Sequence, residues 1–224
     1  MASASAAAPT WLDLFDWRAC VAEMYRERDA AHRRADDSAA TLARFRAAKD
    51  ALFTHHSQTP FGPDALAGFT GLRYFPYAPE LRVEANLVVE DGAAGAAIPF
   101  GEALLRPAGR VRFAVAGASA SELVVYWIDV YGGGLILPFR DATCPGESYG
   151  GGRYLFDTVK GSTFERLDEA GASGSGYAGG RIALDFNYAY NPSCAYDERW
   201  TCPLAPRQNT LAAPLRAGER KYWS

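Results

Sequence analysis

The hydrophobic pattern of this chain changes period at Pro60, and that change constrains the fold more than any other feature. Beyond Pro60, apolar and polar residues alternate in short runs, which places successive side chains on opposite faces of a strand. Runs of this character, separated by Gly, Pro or Asp, span residues 71–77, 81–90, 110–115, 122–130, 135–139, 153–157 and 181–186. Short strands with no later block of helical period predict a mainly β fold, either an antiparallel β-sandwich or a small β-barrel.

Before Pro60 the apolar residues recur every three or four positions, as in amphipathic helices. One helix is predicted over residues 11–34, and a second from an N-cap at Ser38 to about Phe53. The two would form an N-terminal helical hairpin that packs on the β domain; a single kinked helix is the alternative. The predicted organisation is a disordered tail over residues 1–10, a helical segment over 11–55 and a β domain over 56–224.

Composition and charge argue against several classes of function. Apolar residues make up 49% of the 224, so the chain can bury a sizeable core. A net charge of −3 argues against nucleic-acid binding, which needs a basic face. No apolar stretch is long enough to span a membrane and no secretory signal is recognisable, so we predict no membrane partner and a cytoplasmic protein. Gly171–Gly180 lacks the features of a phosphate-binding loop and is predicted to be a flexible loop.

A first group of candidate site residues contains Arg140, Asp141, Tyr149 and Arg153. Arg153 follows three glycines, so its guanidinium would lie beside flexible backbone and suit a carboxylate or phosphate ligand. Neighbours on a strand point to opposite faces, so Arg140 and Asp141 would line one pocket only at a bend or bulge. The structural alternative is that both arginines form buried ion pairs that fix the loops.

A second group, Asp185, Asn187, Asn191 and Tyr196, lies in the polar, turn-rich stretch 184–203. Alternation places Asp185 and Asn187 on one face, where they would hold a polar ligand or position a water. A dry pocket would raise the pKa of an Asp, so Asp185 or Asp141 is the predicted acid/base group if the site is catalytic. The alternative is that these side chains satisfy backbone groups in turns.

The four cysteines are predicted to be reduced thiols, because the sequence carries no sign of export. Cys194 and Cys202 do not have the paired short spacing of a structural zinc site, and no metal site is predicted. The alternatives for them are a zinc site with His55 and His56, a Cys194–His56 nucleophile pair, buried inert thiols, or a close dithiol. The sequence favours the last two.

Several long motifs occur together in this chain. They are FRDAT at 139–143, ESYGGGRYL at 147–155, LDFNYAYNPSCAY at 184–196 and CPLAP at 202–206, preceded by HSQTP at 56–60 and FTGLRYFP at 69–76. In this combination the chain resembles the bacterial and archaeal "domain of unknown function 1684" family over nearly its whole length. Ser148, Thr59 and the Cys144-Pro145 pair depart from the family pattern. The resemblance implies a soluble, mostly β protein with its polar signature in one C-terminal pocket, and it implies no particular activity.

Two functions fit these observations. In the first, the two polar groups line a small-molecule site for an anionic or polyhydroxylated ligand, binding or non-redox catalytic, in the mouth of the barrel or sandwich. No cofactor is predicted because no motif signals one; a flavin is left open, since β-barrel flavin sites lack a short signature. In the second, the polar block is structural and the protein is an interaction or scaffold protein. Trp11, Phe15 and Trp17 would then hold a partner, or a second copy in a homodimer through the N-terminal helices.

Overall fold

One curved antiparallel sheet forms the body of the protein. The computed structural model describes residues 9–89, 96–115, 118–167 and 180–223. The predicted tail up to residue 8 and the predicted loop at 171–179 lie outside the described residues. The sheet is a half-barrel that carries an N-terminal helical hairpin, which confirms the predicted mainly β fold.

The described strands all pair antiparallel, in the spatial order β6-β5-β4-β3-β1-β8-β7, with β2 on β3. Their bounds are β1 Arg82–Val88, β2 Ile98–Phe100, β3 Ala103–Val115, β4 Ala118–Asp129, β5 Leu135–Phe139, β6 Arg153–Asp157, β7 Glu165–Arg166 and β8 Arg181–Asp185. The turn between β4 and β5 requires glycine, because a Cβ on Gly133 would lie 2.0 Å from the Ile128 carbonyl oxygen.

The hairpin consists of α1, Trp11–Arg33, and α2, Ser38–His55, and a short α3, Pro63–Ala67, follows it. Thr10 and Asp13 form a capping box at the start of α1. Asp37, rather than the predicted Ser38, caps α2, since its carboxylate accepts the Ala40 N–H at 2.6 Å. Aromatic rings hold the hairpin together and to the sheet, because Phe45 packs edge-to-face on Tyr25 of α1 and on Tyr188 beyond β8.

The sheet differs from the sequence prediction in several places, and the short strand β7 is one that was not predicted. Residues 71–77 form no strand and make only an isolated bridge between Tyr74 and Glu219. Conversely, β2 and the first half of β3 were not predicted, because Pro99, Pro107 and Gly109 give this stretch the composition of a turn. The structure accommodates these residues with a register shift between Pro107 and Gly109. Glycine is needed at position 109 because a Cβ there would lie 2.7 Å from the carbonyl oxygen of Val88 in β1.

After Pro203 the chain is extended apart from a 3-10 turn at Arg207–Asn209, and it runs back across the sheet. Leu211, Leu215 and Ala217 enter the main apolar core with the strand residues. The last turn of this segment brings Glu219 next to α2, where its carboxylate bonds Lys49. The C-terminal segment therefore connects the core of the sheet to the helical hairpin.

Candidate functional site

The predicted Arg153 and Asp141 lie in the interior and form a fully buried ion pair. Arg153 is 0% exposed, and it also donates to the carbonyl oxygens of Leu215 (3.0 Å), Ala217 and Glu219 (3.1 Å). The second Asp141 oxygen accepts the backbone N–H of Thr143 at 2.7 Å. Both side chains are therefore engaged in joining the C-terminal segment to the sheet, which is the structural alternative for Arg153.

Arg140 and Tyr149 lie on the outer side of the same loop. Both Arg140 and Asp141 border an open depression, together with Cys144, Pro145, Gly150, Arg207 and Thr210, although the Asp141 carboxylate is buried against Arg153. The Tyr149 hydroxyl lies 3.7 Å from the Cys194 sulfur, and burial raises the pKa of Tyr149 to about 12. The first predicted group thus divides between an interior ion pair and a surface depression.

Asp185 and Asn187 form a local cap rather than a ligand cradle. Asp185 Oδ1 accepts the backbone N–H of Asn187 at 3.0 Å and its Nδ2 amide at 2.9 Å. Asn187 in turn bonds both the N–H and the carbonyl of Ala78. Burial raises the pKa of Asp185. This pair joins the chain before β1 to the chain after β8, so its contacts match the turn alternative.

The remaining two predicted residues, Asn191 and Tyr196, lie together at the foot of the hairpin around the buried Glu219. The Glu219 carboxylate accepts the backbone N–H of Asn191 at 2.9 Å, the Tyr196 hydroxyl and the Lys49 ammonium. Burial raises the pKa of Tyr196 well above its ordinary value. Asn191 Nδ2 donates to the Arg220 carbonyl at 2.8 Å, whereas Asn191 Oδ1 has no hydrogen-bond partner among the described residues.

Asn191 and Tyr196 line a cleft between the hairpin and the sheet, and this cleft is the candidate site. It encloses about 590 Å3 of space, its open mouth included. Its apolar wall comes mainly from the two helices, through Trp17, Val21, Met24, Tyr25, Phe45, Leu52 and Phe53. Its polar groups come from α2 and from the sheet side, through Lys49, Lys160, Ser162, Tyr190, Asn191, Ser193 and Tyr196. An aromatic wall facing a few polar groups is typical of small-molecule sites.

The sheet side of the cleft carries one cation with a loose partner. Lys160 Nζ lies 3.8 Å from Asp157, and burial raises the pKa of that carboxyl. Beside it, the Ser162 hydroxyl lies 2.7 Å from the Tyr190 hydroxyl. Burial raises the pKa of Tyr190 well above its ordinary value, so it enters the cleft as a neutral phenol. The cleft thus offers an ammonium group and neutral hydroxyls to a ligand.

The two C-terminal cysteines lie close together at the far side of the cleft wall. The backbone N–H of Cys194 donates to Cys202 Sγ at 3.3 Å. His56 is not paired with Cys194: its Nε2 lies 3.1 Å from Asp16, and its Nδ1 accepts the Gln58 N–H. Among the described residues no cluster of three or more metal-ligating side chains occurs.

Sequence reasoning missed Lys49 and Lys160, which line the cleft, and the buried Glu219 that pairs with Lys49. Lys49 and Glu219 are 170 positions apart, so no local pattern joins them. One signal was available: the chain has only three lysines, and two of them line the cleft.

Comparison with known proteins shows which family this chain belongs to. The family described as "Protein of unknown function (DUF1684)" matches residues 67–220, more than half of the chain. The chain belongs to the DUF1684 family. The DUF1684 match begins after the hairpin, so the helical wall of the cleft, Lys49 included, precedes it, and the sheet side from Lys160 to Tyr196 lies within it. No curated protein matches the chain.

A solved structure is similar to most of this chain. An uncharacterized protein of Haloarcula marismortui, determined by solution NMR, is 30% identical to this chain with a TM-score of 0.55. The similarity covers 81% of this chain and 92% of that one. This DUF1684 chain therefore shares its fold with a protein that is itself uncharacterized.

Among the described residues, no helix is both long and apolar enough to cross a bilayer.

Proposed function

We propose that this protein binds a small, largely apolar molecule with an anionic group, in the cleft between the hairpin and the sheet. The observation that carries the proposal is Asn191, which lines the cleft and whose buried Oδ1 has no hydrogen-bond partner in the described part of the chain. A buried acceptor without a partner is costly, so a ligand donor or a water is expected to meet it.

The other cleft groups define the chemistry of the ligand. The helical wall supplies Trp17, Leu52 and Phe53, which suit an apolar or aromatic body. Lys160 supports an anionic group, because its nearest carboxylate in the described structure is 3.8 Å away and has a raised pKa. Lys49 is held by Glu219 and fixes that carboxylate beneath Asn191. A carboxylate or sulfonate on an apolar ring would satisfy both sides of the cleft.

The proposal is for binding and assigns no catalytic role. Asp141 and Asp185, the predicted acid/base groups, are absent from the cleft lining, and their carboxylates are bonded to Arg153, Thr143 and Asn187. Of the predicted ligand contacts, the proposal keeps Asn191 and Tyr196. Arg140 and Tyr149 remain predictions for a separate surface. The four cysteines are free, which supports the predicted reducing, cytoplasmic location as part of the proposal.

The test uses 8-anilinonaphthalene-1-sulfonate, an aromatic sulfonate, and its uncharged parent N-phenyl-1-naphthylamine as fluorescent probes. Lys160→Met should weaken binding of the sulfonate about fivefold to tenfold, the size of one partly solvated charge-assisted hydrogen bond, and leave the neutral probe unchanged. Lys221→Met, at the lysine outside the cleft, is the matched control and should change neither. Leu52→Trp should block both probes by filling the cleft.

Equal weakening by Lys160→Met and Lys221→Met would show that the sulfonate responds only to net charge, and binding unaffected by Leu52→Trp would place the probes elsewhere. Either result contradicts the proposal. Circular dichroism of each variant controls for loss of the fold.

A second function, self-association, is favoured by the start of α1. Trp11, Leu12 and Phe15 are 86%, 78% and 71% exposed, and the spacing places them on adjacent parts of one helix turn. Trp17 does not belong to this patch, because it lines the cleft and packs on Phe53 and His56. We propose that the patch pairs with the same patch of a second copy. Sedimentation should show a dimer that Trp11→Ala/Phe15→Ala dissociates; a monomeric wild-type protein would contradict the pairing.

A further inference from the structure

Cys194 and Cys202 form a poised dithiol in a loop that is fixed at both ends. Cys194 belongs to the 3-10 turn Ser193–Ala195, and Cys202 precedes Pro203, whose carbonyl accepts the Tyr154 hydroxyl. The loop between the cysteines docks on the segment after α2, since the Trp200 Nε1–H donates to the Pro60 carbonyl at 2.8 Å. The fold therefore holds the two cysteines near each other, with Cys202 Sγ 3.3 Å from the backbone nitrogen of Cys194.

The surroundings of the two sulfurs differ in a way that gives each a role. Cys202 Sγ accepts the backbone N–H of Cys194 at 3.3 Å, a contact that favours a thiolate at Cys202. The neighbouring Cys194 side chain and the positive charge of Lys160 lower the pKa of Cys202 despite its burial. The adjoining Cys202 sulfur raises the pKa of Cys194. Both cysteines are partly exposed, so a small reagent reaches them. Cys202 is thus the nucleophile and Cys194 the proton-bearing partner.

We propose that Cys202 and Cys194 are a reversible thiol–disulfide exchange site that reacts with low-molecular-weight disulfides. In the first step the Cys202 thiolate attacks one sulfur of RSSR, a Cys202–S–S–R bond forms, and RS⁻ leaves. In the second step Cys194, after losing its proton to solvent, attacks Cys202 Sγ and expels the second RS⁻. The two cysteines are oxidised to one disulfide and RSSR is reduced to two RSH, so electrons and atoms balance.

The position of the dithiol links its redox state to the cleft. Ser193, next to Cys194, and Lys160, which contributes positive charge at Cys202, both line the cleft. Oxidation removes the negative charge that Lys160 stabilises at Cys202, so the Lys160 ammonium, loosely paired with Asp157, should bind a ligand anion more tightly in the oxidised protein. The exchange chemistry itself does not depend on the proposed ligand, because it needs only the two sulfurs and their hydrogen bonds.

The first test measures the alkylation of wild-type protein by iodoacetamide as a function of pH, with the modified cysteines mapped by mass spectrometry. An ordinary thiol loses about a hundredfold in rate between pH 8.5 and pH 6, because its thiolate fraction falls by that factor. Cys202 should lose much less than that over the same interval, because its thiolate persists to lower pH. Cys20 and Cys144 in the same sample are the internal controls and should follow the ordinary profile. A hundredfold loss at Cys202 would overturn the proposal.

The second test uses oxidised glutathione. Wild-type protein should lose two hydrogens and yield one cross-linked peptide pair joining Cys194 to Cys202. Cys194→Ser should instead accumulate a mixed disulfide with glutathione at Cys202, whereas Cys202→Ser should react slowly. A cross-link that involves Cys20 or Cys144, or no difference in rate between the two serine variants, would contradict the assigned roles. Thermal unfolding of both variants separates loss of reactivity from loss of fold, and the alkylation profile needs no variant.

Discussion

Replacing Arg153 by Met would test whether this part of the polar signature is structural. The side chain is fully buried, pairs with Asp141 and donates to three carbonyl groups of the C-terminal segment. Met keeps most of the apolar length but removes every donor. It leaves the Asp141 charge in the interior without its partner.

The expected loss of stability follows from these contacts. Breaking a buried ion pair on one side costs about 3–5 kcal/mol, and each carbonyl left unsatisfied adds up to about 1–3 kcal/mol, although these contributions are not additive. A loss of at least about 4 kcal/mol is expected, which is a large share of the total stability of a domain. For a chain of this length it corresponds to a melting temperature lower by about 8–16 °C.

Thermal and urea unfolding followed by circular dichroism would measure the loss. Arg216→Met is the matched control, because Arg216 forms an exposed bidentate pair with Glu147 and should unfold close to the wild-type temperature. The double variant Asp141→Asn/Arg153→Met should recover about 1–3 kcal/mol relative to Arg153→Met, because it removes the unpaired charge. An Arg153→Met protein as stable as Arg216→Met would refute the structural assignment.

Three further predictions concern stability. Asn209→Ala removes a buried amide that bonds the backbones of β4 and β5, and should lower the free energy of unfolding by about 2–4 kcal/mol in urea titrations. Although burial raises it, hydrogen bonds from His32 and Arg82 bring the pKa of Glu165 down to about 2. The ionised Glu165 therefore stabilises the fold above pH 4.5, and this contribution is lost as pH falls toward 2. In Glu165→Gln, the free energy of unfolding should fall by about 1–2 kcal/mol less over this pH range, after allowance for solvent screening. An unchanged pH dependence of the free energy of unfolding would contradict this. Gly218→Ala should unfold at lower temperature, because φ is +74° and its Cβ would lie 2.4 Å from a carbonyl oxygen; a neutral change would contradict this strain.

The elements with a strong local signal could be predicted from the sequence. The helical hairpin follows from its period, and β5, β6 and β8 have nearly the predicted bounds. The start of β3 was missed because Pro107 and Gly109 resemble a turn, and only the neighbouring β1 explains why they are tolerated. The local hydrophobic pattern therefore predicts most helices and strands, whereas the strands it misses depend on contacts with neighbouring strands.

The site was harder to predict because polar residues that are neighbours in sequence have different partners. The carbonyl groups that Arg153 bonds lie more than 60 positions later in the chain. Asn191 bonds Glu219 and Arg220 in the last turn of the chain. Such pairs leave no periodic signal in one sequence. The residues predicted as one pocket consequently divide among an ion pair, a turn cap, a surface depression and the cleft.

The central claim is that the cleft between hairpin and sheet is where a ligand binds. The most direct measurement is a titration of ¹⁵N-labelled protein with 8-anilinonaphthalene-1-sulfonate, followed by amide chemical shifts. The account predicts saturable shifts that cluster at Val21, Leu52, Lys160 and the side-chain amide of Asn191. Shifts centred instead on the depression at Arg140, or no saturable shifts at the cleft residues, would contradict it.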